Sequence, residues 1–364
     1  MHLISYIRAN IYSGRGPLVG RAHWASFVSA LCWLCGAALV VPVTATAQLN
    51  SIQSARFLSS RMPRTWASVR WDTVWVQGGP DGTVTFGAPV AIVSRGGTVY
   101  VGDGMLHEVV ALDAHTGKVK WRVSSGTGLE LKNPSTLVPL ENGALLVADP
   151  STSRLYVIGA GGNGHREVTL PQSAGLLHSA CALDGGTWAL EIFEAGAPLV
   201  LVDTTGRIVG RRSSKFERTK NGMFAGQAQF AGESEPGACV LMQLHGEAFS
   251  WLAPDGTPGV ARPYITTSSR YEALRTKDAR ELLPQTALSG VVGGGELWIA
   301  TPNPQADSAN IIDRYHSNGA YFGSLRVPRN ISLFARAGDV LYIVHGFAGR
   351  PVVSALRVTV SPSK

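Results

Sequence analysis

The sequence predicts an all-β fold: a six-bladed β-propeller of four-stranded antiparallel blades, closed by an N-terminal strand. Three observations predict it. A unit of about 48 residues recurs along most of the chain. Glycines mark the turns of each unit at near-constant intervals. One apolar segment before the first unit has no partner there, and the last unit lacks a fourth strand.

The clearest unit runs from Pro89 to Trp121. It reads as an apolar strand, a turn at Gly96-Gly97, a second strand ending in Asp103, a third strand, a turn at Gly117 and a fourth strand. Weaker copies follow. First-turn glycines fall at 97, 143, 186, 237, 295 and 338, spaced 46, 43, 51, 58 and 43 residues apart. The first and second turn glycines are 20 residues apart in the first and third copies, 19 in the fourth and 24 in the fifth. Such spacing suits short antiparallel strands with tight reversals. Each unit is expected to be a twisted sheet with one apolar face, too small to be stable alone. Stacking units in a ring buries those faces and protects the edges. The unpaired segment Asp72–Val76 is expected to complete the last blade.

Two stretches break the rhythm, at about 207–236 and 257–286. In the second, Tyr271, Leu274, Arg275, Asp278 and Leu282 have helical spacing and Pro284 ends the run. A short helix is expected over 269–283.

Composition narrows the class. Hydrophobic residues make up 45% and charged residues 16% of the 364 residues, which argues against disorder. The 42 glycines and few Glu and Lys argue against a coiled coil. Residues 1–47 carry Arg8, Arg15 and Arg21, then an apolar run from Trp24 to Val43, then Ala45-Thr46-Ala47. This pattern predicts a secretory signal cut before Gln48. An uncleaved anchor is the alternative reading of the same length. Residues 48–70 are expected to form an N-terminal extension, 71–360 the propeller and 361–364 a tail. The expected location is periplasmic or extracellular, with no stable membrane span after cleavage. The formal charge of +7 falls to +4 without residues 1–47. That does not suggest a nucleic-acid binder.

Cys181 and Cys239 are the only cysteines after residue 47. Export would let them form one disulfide, or they could be separate buried thiols. Asp103, Asp149 and Glu191 end the second strands of the first three copies; Gln243, Thr301 and Val344 take the later places. Carboxylates clustered at a channel mouth could ligate Ca²⁺ or act as acid and base. The competing reading is that each acid caps a local turn. His178, His245 and His345 are channel candidates for Zn²⁺, although they are out of register. His107, His115, His165 and His316 read as loop or turn residues. Arg207, Arg211, Arg212, Lys215, Arg218 and Lys220 form a basic run that could meet an anionic partner or be a solvated loop. Trp188, Trp298, Tyr100 and Tyr342 are expected in the cores between blades. No nucleophile elbow or phosphate loop is present, and 159–164 falls at a blade turn.

The segment Gly126-Thr127-Gly128-Leu129-Glu130-Leu131-Lys132-Asn133-Pro134, followed by Leu145–Asp149 and Arg154-Leu155, resembles the joint between blades in NHL-type six-bladed propellers. It departs from that pattern at Leu129 and Leu131, where the family has Gly and Phe. Asp113–Gly117 with Trp121 also resembles a quinoprotein blade motif. The NHL resemblance implies a propeller over nearly all of 72–360 and an exported binding module for a protein, peptide, carbohydrate or small molecule. Related six-bladed folds include metal-dependent lactonases, streptogramin-type lyases and an amidating lyase. The alternative expectation is therefore a metal-dependent hydrolase or lyase at the channel.

Overall fold

The computed structural model describes residues 63–361, apart from 81, 127, 193–198, 215, 217–227, 235–236, 245, 247, 266–273, 276–280, 283–286, 302–308 and 347–349. The signal segment, Lys215, Arg218, Lys220 and His245 thus lie outside the described residues. The described residues contain strands and three short 3-10 turns. None of their helices is long and apolar enough to cross a membrane.

The chain is a six-bladed β-propeller. Blade 1 comprises Pro89–Arg95, Thr98–Asp103, Glu108–Asp113 and Val119–Ser124, from hub to rim. Blade 2 follows with Thr136–Pro139, Leu145–Asp149, Arg154–Ile158 and His165–Val168. Blade 3 has Leu177–Ala182, Thr187–Ile192, Leu199–Asp203 and Ile208–Arg212. Blade 4 is the smallest, with Ala228–Phe230, Val240–Gln243, Ala248–Trp251 and Arg262–Pro263. Blade 5 has Ser289–Gly293, Glu296–Thr301, Ala309–His316 and Tyr321–Ile331. Blade 6 has Leu333–Ala337, Val340–His345 and Val352–Val360, and takes its rim strand from Val69–Gly78 at the other end of the chain. That strand pairs antiparallel with Val352–Val360 from Val69↔Val360 to Gly78↔Val352, with a bulge between Thr73 and Trp75. The expected closure is present, and the strand begins three residues before Asp72.

The apolar pattern differs from the one-faced expectation. In blade 1, Val99, Val101, Val110 and Leu112 pack with Ala335, Tyr342 and Val353 of blade 6. The alternating residues Tyr100, Val109 and Ala111 pack with Leu137, Leu145 and Val147 of blade 2. Strands Thr98–Asp103 and Glu108–Asp113 are therefore buried on both faces. Their sequence runs nearly continuous in apolar residues because neither face meets water. Four further cores join successive blades in the same way and return to blade 6. Trp188 lies in the core between blades 2 and 3, and Trp298 in that between blades 5 and 6.

Turn glycines serve this stacking as well as chain reversal. Gly117 has φ +71°, and a Cβ there would stand 2.8 Å from the Trp75 ring of blade 6. Trp75 also donates its indole N–H to the Ala114 carbonyl at 2.9 Å. Trp121 of blade 1 lies in the same way against Gly162 of blade 2. The glycine between third and fourth strands thus leaves space for the rim strand of the preceding blade.

Residues before Val69 add a second closure. Thr65 and Ala67 exchange backbone hydrogen bonds with Ser324 of blade 5 at 2.8 and 3.0 Å. Arg64 donates to both oxygens of Asp313, at 2.9 and 3.1 Å. Asp313 is fully buried and also accepts from Ser324 Oγ at 2.5 Å.

The helix expected over 269–283 is corrected. Leu274–Arg275 and Glu281–Leu282 pair as antiparallel strands. Apolar residues spaced eight apart fit a short hairpin as well as a helix face, and the periodicity could not separate the two. Among the other expectations, His316 ends a strand and His165 starts one, so neither is a loop residue.

Two measurements check this arrangement. Replacing Gly117 with Ala is expected to destabilise by about 1–3 kcal/mol, through both positive φ and the Trp75 contact. Gly96→Ala, at φ +56° with nothing within 4 Å of the new Cβ, should cost less in the same denaturant titration. Removing Arg64 as Arg64→Ala leaves Asp313 buried without its cation and should cost roughly 3–5 kcal/mol. Arg64→Ala combined with Asp313→Asn should recover part of that loss, measured by a double-mutant cycle.

Candidate functional site

The second strands all end at one mouth of the hub, because each blade repeats the same strand directions. The acids expected there occupy distinct settings. Asp103 is fully buried. It accepts from the backbone N–H groups of Gly87 and Ala88 at 2.7 and 2.9 Å, and of Met105 and Leu106 at 3.0 and 2.9 Å. Asp149 is equally buried and accepts from Lys132, Asn133 and Ser151 at 2.6, 3.1 and 3.0 Å. Each aspartate ties the entry of the hub strand to the turn after the second strand. A carboxylate suits this task because it offers several acceptor sites to converging N–H donors. Gln243 takes the equivalent place in blade 4 and accepts from the Ala248 N–H at 3.2 Å.

Blade 3 departs from the pattern. Glu191 is buried and its Oε2 lies 2.6 Å from His178 Nδ1, which also lies 2.9 Å from the Ala228 carbonyl. Burial disfavours a charged imidazole, but the Glu191 hydrogen bond and charge outweigh it and hold His178 above its ordinary value. Burial also raises Glu191, with the His178 contact only partly opposing. Both shifts favour a proton held within the pair. Because the Ala228 carbonyl can only accept, Nδ1–H donates to it and to the Glu191 carboxylate, which fixes the orientation of the ring in an arrangement suited to proton transfer or to holding a polar ligand.

His345 ends the second strand of blade 6, and its Nε2 lies 2.7 Å from Ser354 Oγ. It lines a cleft of about 380 Å³ with Asn310, Pro328, Arg329, Asn330 and Gly346, between blades 5 and 6. Burial and the neighbouring Arg329 charge both lower His345 below the ordinary imidazole value. Nothing in the repeat pattern marks Asn310, Arg329 or Asn330, since they sit where strand and loop of two blades meet.

The opposite mouth is blocked by the chain itself. Residues Gly232–Glu233 leave blade 4 and pair parallel with Val291–Val292 of the blade 5 hub strand. Ser234 donates through N and Oγ to the Val292 carbonyl, both at 2.9 Å. Glu233 Oε1 accepts from the Ala182 N–H of blade 3 at 2.9 Å. The Gly232 Cα faces the Ile92 carbonyl of blade 1, and the segment also meets the hub strand of blade 2. A segment that reaches the hub strands of blades 1, 2, 3 and 5 lies across the axis. Arg95 of blade 1 spans the same mouth, donating to the Pro139 carbonyl of blade 2 at 2.6 Å.

Cys181 and Cys239 form a disulfide with Cα atoms 5.9 Å apart. It joins the hub strand of blade 3 to blade 4 just beyond the plug. Glu233 packs against it. Cys181, Glu233 and Cys239 are the one set of three His, Cys, Asp or Glu side chains that converge within 4.8 Å among the described residues. The two sulfurs are bonded to each other, so this set is a structural joint. Asp103, Asp149, Glu191, His178 and His345 do not form such a set; His178 and Glu191 alone are brought together as a pair.

The described part of the basic run is on the rim of blade 3. Arg207 pairs with Asp203 at 3.0 Å. Arg211 donates to the Ser173 carbonyl. Arg212 donates to Thr257 Oγ1 and the Asp255 carbonyl, each at 3.3 Å.

Solved structures with the same architecture include a virginiamycin B lyase from Staphylococcus aureus, in a catalytically inactive form with quinupristin. It is 11% identical, with a TM-score of 0.50, over 79% of this chain and 99% of that one. A candidate exported protein from Bacteroides fragilis is 8% identical, with a TM-score of 0.51, over 80% and 95% of the two chains. A luciferin-regenerating enzyme is 13% identical, with a TM-score of 0.50, over 78% and 95%. The likeness is one of fold. No protein-family model and no curated protein sequence matches the chain.

Glu233 supplies a pH test of the plug. Burial raises its carboxyl from 4.5 to about 8, opposed by the Ala182 N–H and the Arg95 charge. Its Oε2 has no hydrogen-bond partner among the described residues. The folded state thus binds this proton more tightly than the unfolded one. Stability should fall as pH rises from 4.5 to about 8 and level off above that, by on the order of a few kcal/mol. In Glu233→Gln that slope should flatten, so the variant gains on the natural protein at pH 8 relative to pH 5, measured by urea titration at each pH.

Proposed function

We propose that this chain is an exported, NHL-like propeller that acts as a non-catalytic binding module, meeting its ligand at the mouth where the second strands end. One observation carries the reading. The in-register acids Asp103 and Asp149 are fully occupied as acceptors for backbone N–H groups. A carboxylate in that role is poorly placed to serve as a general base or a metal ligand, because releasing it would orphan buried donors. The crossing of the hub by Gly232–Glu233 near the far mouth favours a one-faced receptor over a conduit. The sequence pattern of residues 1–47 supports export, and Cys181–Cys239 suits an oxidising compartment.

The His178–Glu191 pair favours a second reading, a hydrolase or lyase in which a hub imidazole moves a proton. The likeness of fold to a virginiamycin B lyase is compatible with that reading. Metal analysis with activity assays decides between the two. The binding reading expects sub-stoichiometric Ca²⁺ and Zn²⁺ in purified protein, no turnover of lactone or cyclic depsipeptide panels, and a folded His178→Ala variant with unchanged metal content. Stoichiometric metal lost in His178→Ala together with measurable turnover would overturn it in favour of the enzyme.

A further inference from the structure

The cleft between blades 5 and 6 combines the side chains of Asn310, Arg329, Asn330 and His345 with Pro328 and Gly346. Arg329 and Asn330 project from the long rim strand Tyr321–Ile331 of blade 5 and are exposed. Asn310 comes from the third strand of the same blade, and Gly346 follows the second strand of blade 6. His345 contributes a half-buried imidazole whose Nε2 is held by Ser354. Arg329 has no ion-pair partner among the described residues, and none of the described lining residues is acidic. Among the described residues, the groups facing His345 from the packed elements are one cation, Arg329, and one hydroxyl, Ser354. A volume of about 380 Å³ accommodates a small molecule rather than a polymer segment.

We propose that this cleft is a binding site for a small organic carboxylate, either a free acid or the acid group of a uronic sugar. The proposal rests on the binding-module reading above and deepens it. A guanidinium pairs with a planar carboxylate through two parallel hydrogen bonds, which a spherical or tetrahedral anion reproduces less well. The Asn330 carboxamide and the His345 ring flank that position and supply further polar contacts for the remainder of the ligand. Arg329 depresses the charged form of His345, so an anion bound against Arg329 relieves that repulsion. Ligand and proton then favour one another, and by linkage an occupied site binds the His345 proton more tightly.

The test follows the His345 ring by NMR in histidine-labelled full-length mature protein. Galacturonate and succinate serve as separate probes, one for each source of carboxylate, with sulfate as the comparison anion. The expected result is a saturable shift of the His345 signals with at least one carboxylate and a rise in its titration midpoint. Arg329→Ala should weaken that response about tenfold or more, whereas removing an exposed cation of blade 1, as Lys118→Ala, leaves it unchanged. Galacturonate alone giving the response assigns a uronic sugar; succinate alone assigns a free acid. Absence of a saturable shift with both, an unchanged response in Arg329→Ala, or sulfate binding as tightly as either carboxylate overturns the proposal. A thermal-shift screen of neutral oligosaccharides and peptides separates this failure from that of the broader reading. A saturable hit insensitive to Arg329→Ala overturns the carboxylate site and leaves the binding module standing.

Discussion

Burial of the middle strands on both faces is the constraint on which the architecture depends. A blade such as Thr98–Asp103 with Glu108–Asp113 presents Val99 and Val101 to one neighbour and Tyr100 to the other. Removing either neighbour would leave one of those faces in water. Stability is therefore shared around the ring, and each local contact counts only because the circle closes. Closure falls to the N-terminal strand, whose pairing with Val352–Val360 joins residues nearly three hundred positions apart. Loop-closure entropy grows slowly with length, so such a distant join is tolerable once nine residues of the strand pair with Val352–Val360. The Arg64–Asp313 contact extends the join to blade 5, so the same segment holds two adjacent blades.

Symmetry of the ring is broken at blade 4, and the hub takes its shape from that break. The hub strand there is only three residues long. The chain then crosses the axis instead of turning back, which brings Gly232–Glu233 beside the hub strand of blade 5. A polar crossing of an apolar hub would ordinarily be costly. Here the backbone groups are met by blade 5, the Ala182 N–H is met by Glu233, and the carboxyl is kept neutral by burial. The disulfide anchors the return at Cys239, so a short blade with few apolar contacts is fastened covalently to its larger neighbour.

Regular features were legible in the sequence and irregular ones were not, for a physical reason. Turn glycines at 97, 143, 186, 295 and 338 report a backbone conformation that recurs in each blade, so spacing exposes them. The unpartnered strand before blade 1 was legible because its apolar run needed a sheet. The plug was not. Gly232–Glu233 reads as part of an insertion at 207–236, and its role depends on contacts with blades 1, 2, 3 and 5 that no local pattern encodes. The two faces of each blade were also misjudged, because a continuous apolar run such as Val109–Leu112 differs from alternation only once both neighbours are in place. In the candidate site, the register of Asp103, Asp149 and Glu191 was visible. What distinguishes Glu191, its contact with His178, joins two strands of blade 3 through side chains, which the register does not encode.

The division of labour among these carboxyls explains why function and repeat pattern diverge. A position that recurs in every blade answers to a need that recurs in every blade, and at the ends of the second strands that need is to tie hub-strand entry to turn. Asp103 and Asp149 meet it with side-chain acceptors, while Gln243 of blade 4 accepts from Ala248 at the start of the third strand. Ligand recognition needs asymmetry, since one molecule meets one part of a ring. The proposed recognition sites accordingly lie where the repeat is broken: at the His178–Glu191 pair of blade 3, and in the cleft lined by Arg329 of blade 5 and His345 of blade 6. The hub plug strengthens that asymmetry by blocking one mouth, so whatever this protein recognises meets blades whose chemistry differs from sector to sector.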